Sequence, residues 1–330
     1  MRRVTIDEVA ERAGVSVATV SRAVRGLPNV SPATRKRVLQ AAGELKYRPD
    51  PNASRLAAGK SGVVIMAVPT ISSWYTAQAM AGVEAVLQGA GIELSVTLLS
   101  DSSSRDRVVS EPGLLASRAD ALVLLDLVPT TFEPDSRFPV VVVGDHSDAF
   151  DSVSIDNVHG GRIAGEHLVG LGHSRVGLIA GAEEDKFTAV TMLRTRGLEE
   201  ALAGVGVSLE ENAVVFGHYS GLGGYEAMNE LLARPNPPTA VFALSDDMAL
   251  GAIRAATEAG MSIPHDVSIV GFDDHELSFV LGLTTVAQDP AGLGAAGAQM
   301  LLDRLEGHSG APREAHGEVR LIERSSTARI

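Results

Sequence analysis

Hydrophobic residues are spaced in two different ways along this chain, and the change occurs near residue 60. Before it, apolar side chains recur at intervals of three and four residues, as at Ile6, Val9, Ala10 and Ala13, which places them on one face of a helix. After it, runs of valine, isoleucine and leucine alternate with amphipathic stretches. That alternation is typical of parallel strands covered by helices. The pattern predicts a small all-α domain followed by an α/β core.

Signals for helix ends divide the first domain into three short helices. Thr5 and Glu8 have the spacing of a capping box, and Gly14 stands where a helix ends in a residue with positive φ. Ser16 can cap a second helix, and Ser31, which a proline follows, can cap a third. Three short helices with a glycine turn between the first two predict a helix-turn-helix.

The core pattern predicts two α/β lobes. The predicted strands are Val63–Val68, Leu94–Leu99, Ala121–Leu125, Val140–Val143, Val153–Ile155, Val176–Ala180, Val214–Phe216, Ala240–Ala243 and Ser268–Phe272. The predicted helices cover 76–90, 160–171, 190–204, 223–233, 247–259 and 291–306. More than eight strands in this length favour two sheets, with a ligand cleft between them.

A short linker is predicted between the two parts. Prolines at Pro49 and Pro51 interrupt any helix, and the seven residues Asn52–Ala58 are compatible with a helix too short to be stable alone. We expect this segment to fold only when it is docked. The predicted bounds are 1–49 for the helical domain, 50–60 for the hinge and 61–330 for the core, with a first lobe of about 61–157 and 287–318 and a second of about 158–286 and 319–330.

Charge separates the same two parts. Residues 1–60 hold twelve lysines and arginines against five acidic residues, a net charge of +7, whereas the whole chain carries −13. A basic head on an acidic protein indicates a surface for nucleic-acid phosphates, with binding that weakens as salt rises. The alternative is an ordinary solvated basic surface. The chain has no cysteine, which excludes disulfides and thiolate chemistry.

Neither export nor a membrane span is expected, since the chain has no 18-residue apolar run and no apolar segment after Met1. We therefore expect a cytoplasmic protein.

An enzyme is the alternative class of protein. Gly292–Gly297 matches G-x-G-x-x-G, but no strand leads straight into it and Asp303 is too near to contact a ribose. Gly59–Ser61 is like the end of a phosphate loop, but Ser54 stands where that loop needs glycine. No histidine pair has metalloprotease spacing. We therefore expect no catalytic site, cofactor or metal.

Specific motifs make the chain resemble the LacI/GalR family of transcriptional regulators from residue 4 almost to the end. In the head the matching segments are Val4–Ala10, Gly14–Ser16, Thr19–Arg22, Val30–Arg35, Leu45–Pro49 and Asn52–Leu56. In the core they are Asp156–Asn157, Gly160–Gly161, His167–Leu168, Leu171–His173, Arg194–Gly197, Ser245–Ala249, Gly271–Asp274, Leu283–Val286 and Arg324–Thr327. The resemblance implies an all-α helix-turn-helix DNA-binding domain plus an α/β two-lobed periplasmic-binding-protein-like core.

The resemblance also implies how operator DNA is bound. The second helix would enter the major groove with an outward face of Val17, Ala18, Ser21, Arg22 and Arg25. Arginine can pair with guanine, and short apolar side chains can touch thymine methyls. The alternative is plain helix surface. Residues expected to position phosphates or cap helices are Thr5, Ser16, Asn29, Ser31 and Thr34.

Hinge segments of two subunits would pair in the minor groove, where Leu56 would wedge into a central base step. The other hinge residues expected to touch DNA are Asn52, Ala53 and Arg55. This reading implies a homodimer and a pseudo-palindromic operator. An ordinary leucine packed against its own domain is the alternative.

A small effector, most simply a sugar, is implied for the cleft. The residues carried over are Asp156, Asn157, Arg194, Ser245, Asp246 and Asp273, with Trp74 and Tyr75 as aromatic surfaces. Carboxylates accept from sugar hydroxyls and arginine donates in a fork. The alternatives are an ion pair in the lobe wall and aromatics that only fill the lobe interface. Two alternative functions stay open: a ligand-blind regulator that reports through a protein partner, and an activator. The effector could release the protein from DNA or tighten its binding, and release is favoured.

Overall fold

The computed structural model describes residues 4–24, 26, 28–47, 60–99, 103–104, 115–128, 138–181 and 189–330. It forms two compact units, Met1–Gly62 and Val63–Ile330. Five predicted DNA-contact residues lie outside the described residues, namely Arg25, Asn52, Ala53, Arg55 and Leu56. The exact predicted bounds of head, hinge and lobes stay predictions.

The first unit contains the three predicted helices, α1 (Ile6–Ala13), α2 (Val17–Val24) and α3 (Pro32–Glu44). The capping box is confirmed: the Thr5 hydroxyl accepts from the Glu8 amide at 3.4 Å, and the Glu8 carboxylate accepts from the Thr5 amide at 3.1 Å. Gly14 ends α1 at φ +63°. The helices pack around a shared apolar core whose fully buried members are Val9, Val20 and Val38.

Two six-stranded sheets form the second unit. The strands of the first are β1 (Val63–Val68), β2 (Glu93–Leu98), β3 (Ala121–Leu125), β4 (Val140–Val143), β5 (Asp151–Ile155) and β11 (Glu314–Gly317), in the order β11-β5-β4-β3-β1-β2. Those of the second are β6 (Val176–Ala180), β7 (Val214–Phe216), β8 (Ala240–Ala243), β9 (Ser268–Asp273), β10 (Thr284–Ala287) and β12 (Arg320–Ile322), in the order β12-β10-β9-β8-β6-β7. All neighbours are parallel except β10 and β12.

Helices cover these sheets and pack in pairs. They are α4 (Trp74–Gly89), α5 (Asn157–Gly170), α6 (Val190–Ala203), α7 (Gly221–Leu232), α8 (Asp246–Glu258), α9 (Glu276–Leu281) and α10 (Pro290–Leu305). Helix α5 packs on α6, α7 on α8, and α4 on α10. The α5–α6 pair depends on glycine, because a Cβ at Gly161 would lie 2.0 Å from the carbonyl oxygen of Arg194.

The chain passes between the two sheets three times, from β5 into α5, from β10 into α10, and from β11 into β12. Every predicted strand and helix of the core is found, with ends shifted by at most three residues. The sequence reading missed β10, β11, β12 and α9. Strand β10 starts with two threonines that are buried because their hydroxyls find partners, with Thr285 donating to Asp246 at 2.7 Å. Strands β11 and β12 are short edge strands with little apolar signal.

Replacing Gly161 tests the close approach of α5 and α6. Gly161→Ala should lower the free energy of unfolding by about 1–3 kcal/mol, because the added methyl group meets backbone that must move. Gly170→Ala is the matched control in the same helix, where a Cβ meets nothing within 4 Å; it should be neutral or stabilising by about 0.5–1 kcal/mol. Urea unfolding followed by circular dichroism measures both, and equal stabilities of the two variants would contradict the packing argument.

Candidate functional site

One face of α2 is turned outward from the first unit. Val17, Ala18 and Arg22 are exposed and Ser21 is half-buried, whereas Val20 on the opposite face is fully buried. These four outward positions follow helical spacing, so they form a single surface. Small apolar, hydroxyl and arginine side chains of this kind suit contacts with base edges in a DNA groove.

Helix N-termini supply polar groups in the same unit. The Ser16 hydroxyl accepts from the Thr19 amide at 3.2 Å, and the Ser31 hydroxyl accepts from the Thr34 amide at 3.1 Å. Thr5 caps α1, and Asn29 is exposed with φ +66° just before the cap of α3. Amides at helix N-termini suit phosphate groups. Of the five residues predicted to position phosphates or cap helices, Thr5, Ser16 and Ser31 cap helices, and contact with phosphates stays a prediction.

Some basic residues of the head have partners within the fold. Arg12 pairs with Glu44 at 2.8 Å, which ties α1 to α3. Arg35 donates to the carbonyl oxygen of Ala23 at 3.3 Å. Arg22, in contrast, projects from the outward face of α2.

The second unit holds a cavity of about 230 Å³ where the carboxyl ends of both sheets face each other. Such edges of parallel sheets are the usual ligand sites of α/β proteins. The described lining residues are Pro69, Thr70, Ser73, Tyr75, Thr76, Asp126, Gly144, Ile155, Asn157, Val190, Arg194, His218, Tyr219, Ser245, Asp247, Asp273 and Gln288. We call this cavity the cleft.

Five predicted effector residues line the cleft: Tyr75, Asn157, Arg194, Ser245 and Asp273. The other three, Trp74, Asp156 and Asp246, do not belong to its lining.

Arg194 is fixed in the cleft wall by the protein itself and is only 5% exposed. Its Nε donates to the side-chain oxygen of Asn157 at 2.9 Å, and its Nη1 donates to the carbonyl oxygen of Leu244 at 2.6 Å. The guanidinium carbon lies 3.5 Å from the ring centroid of Phe272, a cation–π contact. The side chain of Arg194 is therefore held in one position by the protein itself, without a ligand.

Two acidic side chains in the cleft are paired with neighbours. Asp273 accepts from the amide nitrogen of Gln288 at 2.7 Å, and burial raises the pKa of Asp273 to about 8. The Tyr75 hydroxyl donates to Asp126 at 3.3 Å. Burial, together with the nearby charge of Asp126, holds the pKa of Tyr75 well above its usual value.

Asp246 lies beneath the cleft rather than on its surface. It is 0% exposed, and its carboxylate accepts from the hydroxyls of Ser278 and Thr285, both at 2.7 Å, and from the His275 amide at 2.8 Å. Burial raises its pKa to about 7. Because all three of these donors belong to the second lobe, the carboxylate of Asp246 stabilises the structure of that lobe.

The other two predicted residues also contact protein. The Asp156 carboxylate caps α5 by accepting from the His159 amide at 2.8 Å. Trp74 belongs to the first lobe, yet its ring lies against His275 of the second, with centroids 5.2 Å apart. The Trp74 amide also donates to Asp247 at 3.4 Å.

Sequence reasoning missed several lining residues, including Asp126, Asp247, His218, Tyr219 and Gln288. Most of these residues come just after the end of a predicted strand. That position is the one feature of the sequence that could have indicated them. Seven described non-glycine residues have positive φ, and four of them line the cleft: Asp126, His218, Tyr219 and Asp273. Unfavourable backbone conformations of this kind cluster at functional sites.

Known proteins share both parts of this architecture. Residues 5–50 match the bacterial regulatory proteins of the lacI family, and residues 166–327 match the periplasmic binding protein-like domain. The HTH-type transcriptional repressor CytR of Escherichia coli strain K12 is 31% identical, over 98% of this chain and 96% of its own. This chain belongs to the LacI family.

Solved structures of the LacI family agree with this fold. A Lac repressor dimer bound to operator and the anti-inducer ONPF matches with a TM-score of 0.81 and 29% identity, covering 99% of this chain and 100% of that one. A complex of the regulator CelR with cellobiose matches with a TM-score of 0.70 and 31% identity, covering 98% and 100%. The fold class and the family predicted from the sequence are confirmed, and this LacI-family chain is a DNA-binding transcriptional regulator.

In the parts of the chain that the structure describes, no three or more His, Cys, Asp or Glu side chains come together as a set of metal ligands. No helix in those parts has the length and apolar character of a membrane span.

The buried carboxyl of Asp273 predicts a pH dependence of stability. Its pKa in the folded protein, about 8, lies above the ordinary aspartate value of about 3.9, so its contribution to stability is fully present below about pH 4 and is lost as the pH rises through 8. Asp273→Asn cannot ionise, so its stability relative to the wild type should increase from pH 5 to pH 8, by at most about 1.4 kcal/mol per pH unit.

Urea unfolding at several pH values measures this difference. Glu166→Gln, at an exposed position of α5, is the control and should show no such trend. A constant difference between Asp273→Asn and the wild type would show that Asp273 ionises normally.

Proposed function

We propose that this LacI-family regulator is a cytoplasmic homodimeric repressor that binds a pseudo-palindromic operator and is switched by a sugar-like effector in the cleft. The observation that carries the proposal is the combination of an outward-facing helix of Val17, Ala18 and Arg22 with a preorganised cleft. A protein of this kind needs no catalytic group. Its two surfaces bind ligands, and their coupling does the regulation.

At the operator, α2 enters the major groove. Arg22 pairs with a guanine, and Val17 and Ala18 contact thymine methyl groups. Helix N-termini capped by Thr5, Ser16 and Ser31 face phosphates. The minor-groove role of Leu56 belongs to this proposal and depends on the resemblance alone.

An exposed apolar helix supports the dimer. On α9, Phe279 is 79% exposed, Val280 70% and Leu281 53%. Three adjacent large apolar side chains seldom stay in water. A second copy of the chain is the occupant we propose, because a pseudo-palindromic operator requires two heads related by a two-fold axis.

Hydroxyl-rich small molecules fit the cleft. Tyr75 and Tyr219 offer aromatic surfaces, and Asn157, Arg194 and Asp273 offer hydrogen-bonding groups. The related CelR structure contains cellobiose. We place the effector against these side chains and propose that its binding releases the operator by changing the relation of the two lobes. The preformed cleft favours this reading over a ligand-blind regulator.

Arg22→Ala tests the proposed base contact. Operator affinity should fall by about 1–3 kcal/mol, and the preference at the contacted base pair should relax. Arg12→Ala removes the same charge from a residue that pairs with Glu44, so it should retain the base preference. Duplexes selected from a random library by the wild type provide the operator, and fluorescence anisotropy with both variants measures affinity. Equal base preferences in the two variants would contradict the role of Arg22.

Val280→Asp tests the dimer surface. A carboxylate at this position should dissociate the dimer and weaken operator binding by at least about tenfold, because an unpaired charge cannot be buried in an interface. Val205→Asp, at another valine that is 56% exposed, is the matched control. Sedimentation velocity measures the association. A Val280→Asp protein that remains dimeric would show that α9 lies outside the interface.

A further inference from the structure

The cleft carries more acidic than permanently basic side chains. Among its described lining residues, Asp126, Asp247 and Asp273 have carboxyl groups, whereas Arg194 alone has a permanently positive side chain. With Asp273 protonated below its pKa of about 8, Asp126 and Asp247 are the two carboxyl groups left to carry negative charge. Carboxylates accept hydrogen bonds and cannot donate them while ionised.

Arg194 is partly occupied by contacts with the protein. One nitrogen donates to Asn157, another donates to the carbonyl oxygen of Leu244, and the face of the guanidinium lies on Phe272. Binding of a phosphate by arginine uses two parallel donors from one edge. Here two of the five N–H donors, including Nε, hold the cleft wall, so the edge that contains Nε is not available to a phosphate.

The carboxylates lie on both lobes. Asp126 follows β3 of the first sheet, where the Tyr75 hydroxyl donates to it. Asp247 lies on α8 of the second lobe, where the amide of Trp74 donates to it at the long distance of 3.4 Å. Burial raises the pKa of Asp247 and of Asp273, and for Asp273 the nearby charges of Asp246 and Asp247 raise it further. An anionic ligand in the cleft would be repelled by the same carboxylates.

We propose that Asp126 and Asp247 make the cleft select against anions, so that its effector is an uncharged or amine-bearing polyhydroxyl compound and not a sugar phosphate or sugar acid. The inference rests on the proposed function of the cleft as the effector site. Hydroxyl and ammonium groups donate hydrogen bonds to carboxylates, whereas ionised phosphate and carboxylate groups have no hydrogen to donate.

The sign of the potential in the cleft can be measured without knowing the effector. The chain has no cysteine, so Thr70→Cys places a single thiol in the cleft lining. Its rates of modification are compared for two methanethiosulfonate reagents of similar size, one with a trimethylammonium group and one with a sulfonate. The rates are divided by those of free 2-mercaptoethanol at pH 8, where histidine side chains are ordinarily neutral.

We expect the cationic reagent to be favoured at least about fivefold in Thr70→Cys. Adding Asp126→Asn and Asp247→Asn should bring the ratio close to that of the free thiol. Adding Glu166→Gln instead, which removes a charge from the exposed surface of α5, should leave the ratio high. Circular dichroism and urea unfolding confirm that each variant is folded.

Two labelling results would overturn the inference. One is a ratio at or below that of the free thiol. The other is a high ratio that persists in the Asp126→Asn, Asp247→Asn background, since the two carboxylates would then not be its source.

A thermal-shift series tests the consequence for ligands and separates this inference from the proposed function. Matched sets are glucose, glucosamine, glucose 6-phosphate and glucuronate, the same four forms of galactose, and cellobiose. Stabilisation by neutral or amino forms and not by the anionic forms supports the inference. A saturable rise in melting temperature with a phosphate or uronate overturns it. A series without any stabilising compound counts against the proposed effector function, whereas the labelling ratio still decides the charge of the cleft.

Discussion

The hydrogen bonds to the buried carboxylate of Asp246 hold together the side of the cleft that the second lobe forms. This carboxylate receives hydrogen bonds from a loop amide at His275, from Ser278 on α9 and from Thr285 on β10. A buried acid without such donors would strongly destabilise the fold. Because α8 begins at Asp246, these bonds also fix the direction in which the neighbouring Asp247 enters the cleft.

That arrangement connects three places that the function requires to act together. Helix α9, which carries the exposed apolar surface, is attached through Ser278 to the start of α8. The start of α8 lines the cleft, and it is contacted from the first lobe by Trp74. The three places are thus joined by one continuous series of contacts, which is the physical connection that coupling between them requires.

The sequence revealed the elements more completely than the site, and adjacent residues show why. Of the pairs Trp74–Tyr75 and Asp156–Asn157, the second residue lines the cleft and the first contacts protein. Successive residues on a helix point about 100° apart, so a side chain and its neighbour meet different surroundings. Apolar periodicity predicts that a helix forms. It does not predict which of the first few residues of that helix faces the cleft.

The loop residues that line the cleft could not be predicted from the sequence for another reason. Tyr219 lines the cleft because its backbone has φ +49°, a conformation that nothing in a tyrosine's own preferences indicates. Arg194 and Asp273 were identified through the resemblance, whereas the bonds that fix them, to Leu244 and Gln288, follow from tertiary packing. Charge and capping patterns, in contrast, are local and could be read directly.

The position of Trp74 has an experimental consequence. It is the only tryptophan in the chain, and its indole lies on the first lobe against the imidazole of the second. All indole emission from the protein therefore originates at the junction of the two lobes. The unmodified protein thus carries its own optical reporter of that junction, without a dye, when the excitation wavelength selects the indole over the four tyrosines.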